Sequence, residues 1–244
     1  MKCLMLAAGY ATRLYPLTEN YPKPLLKVGG RTIADRLLDD LYAHTGIREA
    51  VVVTNHRFAR IFEEWAKERR DLVVSVVDDG TSSNETRLGA ACDIALAVQK
   101  AEIRENLLVM AGDNVLDFSL RSFVDFAENK KAPCVMCHEE NDPARQKKTA
   151  IITTDAQGLI TSYEEKPLNP KGNLAVPPFY CYRPEDLARI PEALADGCSA
   201  DAPGSFAAWL SKRTPMYAFR MPGKRMDVGT LESYEEVCRI FQKQ

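Results

Sequence analysis

The opening thirty residues constrain this chain more than any other segment. An apolar run, Lys2–Leu6, predicts a buried strand, and it leads directly into the small residues Ala7–Gly9. A strand that ends in small residues lets a ligand lie against the backbone, and the cations Arg13 and Lys23 that follow suit phosphate groups. The segment therefore predicts a phosphate-binding loop at the carboxyl end of a strand.

Strand and helix patterns alternate through the first half of the chain. Segments rich in Val and Ile predict strands at Lys2–Leu6, Ala50–Thr54, Leu72–Val77 and Asn106–Met110, and helical spacing of apolar residues predicts helices at Ile33–Ala43, Phe58–Arg70, Gly89–Val98 and Leu120–Asn129. This succession predicts an α/β fold, a Rossmann-like three-layer sandwich with a mainly parallel central sheet. Ligands bind such sheets beyond the carboxyl ends of the strands, where Gly9 and Asp113 are expected.

Shorter strand patterns follow after about Pro133. They predict strands at Cys134–His138, Ala150–Thr154, Ile160–Glu164, Phe179–Tyr182 and Met216–Arg220, and a terminal helix at Leu231–Phe241. We expect a small β-containing subregion here that binds the second substrate.

Composition excludes several classes of function. The net charge of the 244 residues is -2 with both signs interspersed, which gives no basic surface for nucleic acid. The apolar run at the N-terminus is too short for a membrane span or a signal peptide, so a cytoplasmic protein without a membrane partner is expected. The seven cysteines, scattered in apolar surroundings, indicate reduced core residues, and alternation along a strand places Cys134 and Cys137 on opposite faces.

Four separated segments resemble the motifs of the sugar-1-phosphate nucleotidyltransferases. They are Leu6–Leu17 with Pro22–Pro24, AGDN at Ala111–Asn114, EEKP at Glu164–Pro167 and DVGT at Asp227–Thr230. A glycine loop alone occurs in many nucleotide-binding folds, but this ordered set spans almost the whole chain. The resemblance, closest to a short glucose-1-phosphate thymidylyltransferase without the C-terminal extension, implies one domain over residues 1–244. Its nucleotide-binding half would cover about residues 1–132, and its sugar-phosphate-binding half about residues 133–244.

The resemblance also implies the chemistry. In this family a phosphate oxygen of the acceptor attacks the α-phosphorus of a nucleoside triphosphate and pyrophosphate leaves, so the site must supply positive charge and alignment. Arg13 would bind the β and γ phosphates, Lys23 would stabilise the α-phosphate, and Asp113 and Asp227 would hold Mg²⁺. A helix cap is the competing role for Asp227. Ala11 replaces the usual second glycine, and we expect it to keep a negative φ.

The resemblance also implies which residues contact the sugar, its phosphate and the base. Glu165 would bind sugar hydroxyls, Lys166 the sugar phosphate, and Val176 would contact the sugar. The departures at Ala150 and Pro177–Pro178 leave the identity of the sugar open. The base is expected to contact the backbone at Leu6, Ala7, Ala8, Gly9 and Gly89, and a loop at Asp78–Asn84 is expected to close over it.

The motifs exclude two other classes of nucleotide-binding enzyme and leave two further functions open. A nicotinamide enzyme needs G-x-G-x-x-G and a P-loop enzyme needs G-x-x-x-x-G-K-[ST], and the chain has neither string. A noncatalytic module that senses nucleotide or sugar phosphate stays open, as does cytidylyl transfer to phosphocholine or a phosphonate. The favoured hypothesis is transfer from a pyrimidine nucleotide to a hexose-1-phosphate, so the partners are a nucleoside triphosphate and a phosphorylated sugar or small alcohol. The residues leave open whether a homo-oligomer forms.

Overall fold

The fold is a layered arrangement of strands and helices, which the computed structural model describes for residues 1–242. The strands are β1 (Lys2–Ala7), β2 (Lys27–Val28), β3 (Arg31–Thr32), β4 (Glu49–Thr54), β5 (Val73–Asp78), β6 (Leu107–Ala111), β7 (Asn114–Leu116), β8 (Cys134–Glu139), β9 (Ala150–Thr154), β10 (Ile160–Glu165), β11 (Leu174–Val176), β12 (Phe179–Tyr182), β13 (Tyr217–Arg220) and β14 (Arg225–Asp227). The helices are α1 (Ile33–His44), α2 (His56–Glu68), α3 (Ala90–Lys100), α4 (Arg121–Lys130), α5 (Pro143–Gln146), α6 (Pro184–Leu187), α7 (Ile190–Ala195), α8 (Pro203–Ser211) and α9 (Leu231–Phe241).

One large sheet organises these elements. Its strand order is β10-β9-β11-β8-β12-β6-β1-β4-β5, and β13 pairs with β8. The strands β6, β1, β4 and β5 are mutually parallel, as predicted for the first half of the chain. Beyond them β12 runs antiparallel to both β6 and β8, and β9, β10 and β11 form the antiparallel part that the shorter strand patterns indicated. The predicted α/β fold is confirmed.

The two faces of the sheet bury separate apolar cores. Cys3 and Met5 of β1 lie in the core beneath α1, α2 and α4, whereas Leu4 lies in the core beneath α3, α7 and α8. Neighbouring side chains on a strand point to opposite faces, so one strand feeds both cores. The same alternation separates Cys134 from Cys137, as predicted, and the seven cysteines are free thiols.

Local capping fixes where the helices begin. The Thr32 side chain accepts from the backbone N–H of Asp35 at 2.9 Å and starts α1. The Asn55 side chain accepts from the N–H of Phe58 at 3.2 Å, so α2 begins at His56, two residues before the prediction. These side chains satisfy N–H groups that the first turn of a helix leaves unpaired.

Short elements account for most of the differences from the predicted pattern. The two-stranded ribbons β7–β14 and β2–β3, strand β11 and the helices α5 to α7 were absent from the sequence interpretation. Strands of two or three residues carry too little periodicity to be recognised. No helix between residues 1 and 242 is long and apolar enough to cross a membrane.

Candidate active site

The loop after β1 forms the first wall of the candidate site. Gly9 is exposed, and a turn of 3-10 helix at Thr12–Leu14 places Arg13 on the surface beside it. Ala11, at φ 47° and ψ 41°, lies in the left-handed region, so the expectation of a negative φ was wrong. The chain needs glycine-like geometry at this turn although the side chain is alanine, and it therefore carries local strain.

Lys23 reaches the end of β6 from a second turn of 3-10 helix at Lys23–Leu25. Its ammonium lies 2.9 Å from Oδ2 of Asp113, and only 11% of the Lys23 side chain is exposed. Gly112 makes this approach feasible, because a Cβ there would lie 2.9 Å from Cγ of Pro24. The lysine of the first motif and the aspartate of the AGDN motif are thus in direct contact.

The ribbon of β7 and β14 brings the two predicted metal carboxylates to one place. Asp227 pairs with Asn114 in the antiparallel register, and the N–H of Val228 donates to the carbonyl of Asp113 at 3.1 Å. The residue that caps α9 is Thr230, which forms a capping box with Ser233. The capping role considered for Asp227 is therefore wrong.

Burial and the neighbouring charges determine the pKa of Asp227. About half of its side chain, 51%, is open to solvent, but the surrounding protein reduces the solvation of its charge. This desolvation, followed by the negative charge of Asp113, raises the pKa of Asp227, and the cations Arg225, Lys23 and Arg13 oppose the rise. All five charges therefore act within one site.

Asn114 and Arg225 are site residues that sequence reasoning missed. Fully buried Asn114 donates from Nδ2 to Oδ1 of Asp113 at 2.8 Å and accepts at Oδ1 from Arg225 at 2.5 Å. The Arg225 side chain also approaches Asp227, at 4.0 Å. The hydrogen bonds from Arg225 to Asn114 and from Asn114 to Asp113 thus orient the Asp113 carboxylate. The position of Arg225, two residues before the acidic residue of DVGT, was the available signal.

The acceptor side of the sheet carries the EEKP residues. Glu165 ends β10, and its Oε2 is buried without a hydrogen-bond partner among residues 1–242. Burial raises its pKa, and neighbouring Lys166 opposes the shift. Gly204 lies so close that any Cβ there would overlap Glu165 Oε2. Lys166 adopts φ 48°, a strained left-handed conformation at the predicted phosphate contact.

Val176 and His138 lie on the neighbouring strands. Val176 is buried in β11 and pairs with Ala150 of β9. His138 of β8 pairs with Ala175, and its Nδ1 is buried with no hydrogen-bond partner in the described part of the chain. Burial, followed by the charge of Arg225, lowers the pKa of His138. A neutral imidazole therefore lies within electrostatic reach of the ribbon.

The backbone segment that was expected to contact the base lies at the end of β1, beside the ends of β4 and β5. Ala7, Thr54 and Asp78 are in register there, and Asn55 donates from Nδ2 to the carbonyl of Ala8 at 3.0 Å. Gly89 begins α3 at φ 91°, and a Cβ on it would lie 2.6 Å from the carbonyl oxygen of Ala200.

Two contacts connect the segment around Gly89 to the second half of the chain. The N–H of Ala91 donates to the carbonyl of Ala200 at 3.0 Å, and Arg87 forms an ion pair with Asp201 at 2.9 Å. The structure thus places the segment around Gly89 against the segment that precedes α8. Leu6, Ala7, Ala8 and Gly9 lie at the same end of the parallel strands as Asp113.

The donor set in the cleft fits a divalent cation. Asp113, in the turn before β7, and Asp227, at the end of β14, supply carboxylate oxygens, and Asp227 has a raised pKa that a nearby cation would lower. Mg²⁺ commonly takes one or two protein carboxylates and completes its octahedron with phosphate oxygens and water. In residues 1–242, no group of three or more His, Cys, Asp or Glu side chains is arranged to hold a metal by itself.

Comparison with known proteins gives the same family at the level of sequence and fold. The family model for nucleotidyl transferases matches residues 2–244. The UTP–glucose-1-phosphate uridylyltransferase AglF of Haloferax volcanii is 28% identical over 254 residues, which cover 100% of this chain and 98% of that protein. A glucose-1-phosphate adenylyltransferase of Thermotoga neapolitana is also 28% identical over 96% of this chain, which spans 58% of that longer protein.

A solved structure extends the likeness to three dimensions. UDP-glucose pyrophosphorylase in complex with UDP-glucose superimposes with a TM-score of 0.84 over 99% of this chain and 98% of that one, at 22% identity. At this identity the likeness concerns the fold, while the family model matches nearly every residue. The chain belongs to the nucleotidyl transferase family.

Proposed function

We propose that this protein is a Mg²⁺-dependent enzyme that transfers a nucleotidyl group from a pyrimidine nucleoside triphosphate to a hexose-1-phosphate. The products are an NDP-sugar and pyrophosphate. The observation that carries the proposal is the grouping of Lys23, Asp113 and Asp227 at the carboxyl ends of the parallel strands. The full-length likeness to a uridylyltransferase supports the pyrimidine and the sugar phosphate.

The reaction exchanges one phosphate ester bond for another. A phosphate oxygen of the acceptor attacks the α-phosphorus in line, the bond from that phosphorus to the bridging oxygen breaks, and the electron pair leaves with pyrophosphate. Two anions must approach each other, so the dominant requirement is positive charge at fixed positions. Mg²⁺ held by Asp113 and Asp227 would supply part of that charge.

Lys23 is proposed to stabilise the α-phosphate. Its ammonium is paired with Asp113 and is mostly buried, so it is already desolvated and aimed at the cleft. Phosphate oxygens near Asp113 would give the ammonium a second anionic partner at little cost in side-chain ordering. Arg13, exposed on the loop after β1, would bind the β and γ phosphates.

Asn114 and Arg225 are proposed as positioning residues. Asn114 holds Oδ1 of Asp113 and leaves Oδ2 toward Lys23, so the carboxylate cannot rotate freely. Arg225 fixes the Asn114 amide from the far side. A carboxylate held in this way is preorganised for a cation or a phosphate group.

The acceptor is proposed to lie between the ribbon and β10. Lys166 would bind its phosphate, and the unpartnered Glu165 Oε2 would accept from sugar hydroxyls. Val176 would pack against the sugar ring. Such a buried acceptor suits a polyhydroxylated ligand, because the hydroxyl groups replace the hydrogen bonds that burial removes. This arrangement supports a sugar over phosphocholine, whose quaternary ammonium has no hydroxyl groups.

The proposal is tested by release of pyrophosphate in Mg²⁺ from UTP, dTTP, CTP, GTP and ATP against a panel of acceptors. The panel contains sugar-1-phosphates, phosphocholine and aminoethylphosphonate. One productive pair is expected, with pyrophosphate in large excess over enzyme. Asp113→Asn and Asp227→Asn should each lower turnover about a hundredfold or more, and exposed Asp125→Asn on α4 should not. Nucleotide binding without turnover for any pair would support the sensing module instead.

A further inference from the structure

Gly204 lies in the first turn of α8, where the helix packs against β10. It is buried within the helix, and its backbone conformation is one that any residue adopts, so the backbone does not require glycine there. The side chains of β10 do require it. A Cβ at position 204 would overlap Glu165 Oε2, and it would lie 3.2 Å from the carboxyl carbon of Glu165 and 3.3 Å from Tyr163 Oη.

Helix α8 is held in place on both sides of this contact. Phe206 and Leu210, which follow Gly204 in the helix, are completely buried. In the segment before the helix, the carbonyl of Ala200 accepts from the N–H of Ala91 at 3.0 Å. Because a buried helix face resists movement more than the end of one flexible side chain, an added methyl group would displace the carboxyl group rather than the helix.

The Glu165 carboxyl group is positioned by packing. Its Oε2 is buried and has no hydrogen-bond partner within residues 1–242, so no hydrogen bond from the described part of the chain holds that oxygen. The residue as a whole is half-buried, so one end of the carboxyl group is seated against Gly204 while part of the side chain reaches solvent. The missing side chain at position 204 therefore provides the space that this carboxyl group occupies.

We propose that Gly204 is a positioning residue for the acceptor: it leaves the space between α8 and β10 from which Glu165 accepts hydrogen bonds from the sugar. This inference rests on the proposed function, which supplies the sugar. The three atoms nearest to a Cβ at position 204 all belong to β10, and none belongs to a residue proposed for the phosphates or the metal. A methyl group there should therefore weaken binding of the sugar and leave binding of the nucleotide intact.

Two ligands that differ only in the sugar test this separation without requiring turnover. Titration calorimetry with the full chain in Mg²⁺ would measure UDP-glucose and UDP, and the ratio of their affinities reports the contribution of the sugar. Gly204→Ala is expected to lower this ratio about tenfold while the affinity for UDP stays within about twofold. An unchanged ratio, a native ratio near one, or an equal loss of affinity for both ligands would overturn the inference.

Urea unfolding shows whether the variant keeps its fold. Gly204→Ala should keep the unfolding midpoint or raise it, because alanine favours a helix and the displaced atom ends a flexible side chain. Gly46→Ala, which has open space around its Cβ in the described residues, is the matched control and should change neither the midpoint nor the ratio. A lower midpoint for Gly204→Ala together with weaker binding of UDP would show that the helix moves instead, and would refute the positioning role.

A double-mutant cycle measures whether Gly204 acts through Glu165. Glu165→Ala should itself lower the affinity ratio about tenfold, because it removes the acceptor of the sugar hydroxyls. In that background Gly204→Ala should have no further effect, since the methyl group then enters the space that the carboxyl group has left. Losses that add in the double variant would show an independent effect and would refute the mechanism.

The outcomes also separate this inference from the proposed function. Pyrophosphate release with UTP and a sugar phosphate, together with an unchanged ratio in Gly204→Ala, would uphold the enzyme and refute the role of Gly204. A ratio that depends on Gly204 only while Glu165 is present, without turnover on any acceptor, would uphold the positioning role and count against the enzyme.

Discussion

Replacing Asp93 with Asn should remove a large pH dependence from the stability of the fold. Asp93 is 6% exposed, and burial, followed by the charge of Asp79, raises its pKa from 3.8 to about 7. The folded chain therefore holds a proton on Asp93 at pH 5, whereas the unfolded chain has released it. A raised pKa in the folded state contributes stability that is complete below pH 3.8 and is lost as the pH rises through about 7.

The magnitude follows from this difference in pKa. At 1.36 kcal/mol for each pKa unit, the full interval corresponds to about 4 kcal/mol, and the part lost between pH 5 and pH 8 is about 2.5 kcal/mol. Asparagine has nearly the same shape but no ionisation. The free energy of unfolding of the native chain should therefore fall relative to that of Asp93→Asn by about 2.5 kcal/mol over this range.

Urea unfolding of both proteins at half-unit pH steps measures this difference, with the fluorescence of Trp65 and Trp209 as the signal. Asp125→Asn, an exposed helical aspartate, is the matched control and should follow the native chain at every pH. Asp79→Asn should move the loss of stability in the native profile to lower pH, because it removes the second cause of the raised pKa. Parallel profiles for the native chain and Asp93→Asn would refute the assignment of a buried, protonated carboxyl.

Ala11→Gly should raise the free energy of unfolding by about 1 kcal/mol, because glycine accepts the left-handed conformation that alanine holds at φ 47°; urea unfolding that shows a loss would contradict this. Gly112→Ala should cost about 1–3 kcal/mol in the same assay because its Cβ would meet Pro24 Cγ at 2.9 Å. Gly46→Ala, with open space around its Cβ in the described residues, is the control and should change little. Arg225→Met should lower kcat about tenfold with little change in KM for the triphosphate, as expected for a positioning residue, and steady-state kinetics that show only a raised KM would reassign Arg225 to binding.

The parallel half of the fold could be predicted because each of its elements carries its own signal. Strands β1, β4, β5 and β6 are apolar runs of strand length, and the helices between them have apolar faces at helical spacing. The ribbon of β7 and β14 could not be predicted in this way. Its strands have three residues each, and Arg225 and Leu116, more than a hundred residues apart, hold each other in register.

The charged residues of the candidate site were predicted from the sequence, but the contacts between them were not. The motifs pointed to Lys23, Asp113 and Asp227, while contact between the first two depends on a 3-10 turn and on the missing side chain of Gly112. Asn114 and Arg225 were not singled out, because a neutral amide and one arginine among many indicate no particular chemistry by themselves.

The sequence by itself determined the family and the class of chemistry. The reason is that short motifs of glycine, cations and carboxylates are contiguous in the chain and can be recognised without knowledge of tertiary contacts. Tertiary structure alone decided which of those charges meet and which polar atoms stay unpaired. Tyr10 and Asp93 are unremarkable in the sequence, and only the packing of α3 against the ends of the parallel strands leaves their oxygens buried beside Asp79. Burial and the distances between charges arise when distant segments pack together, so no local pattern can specify them.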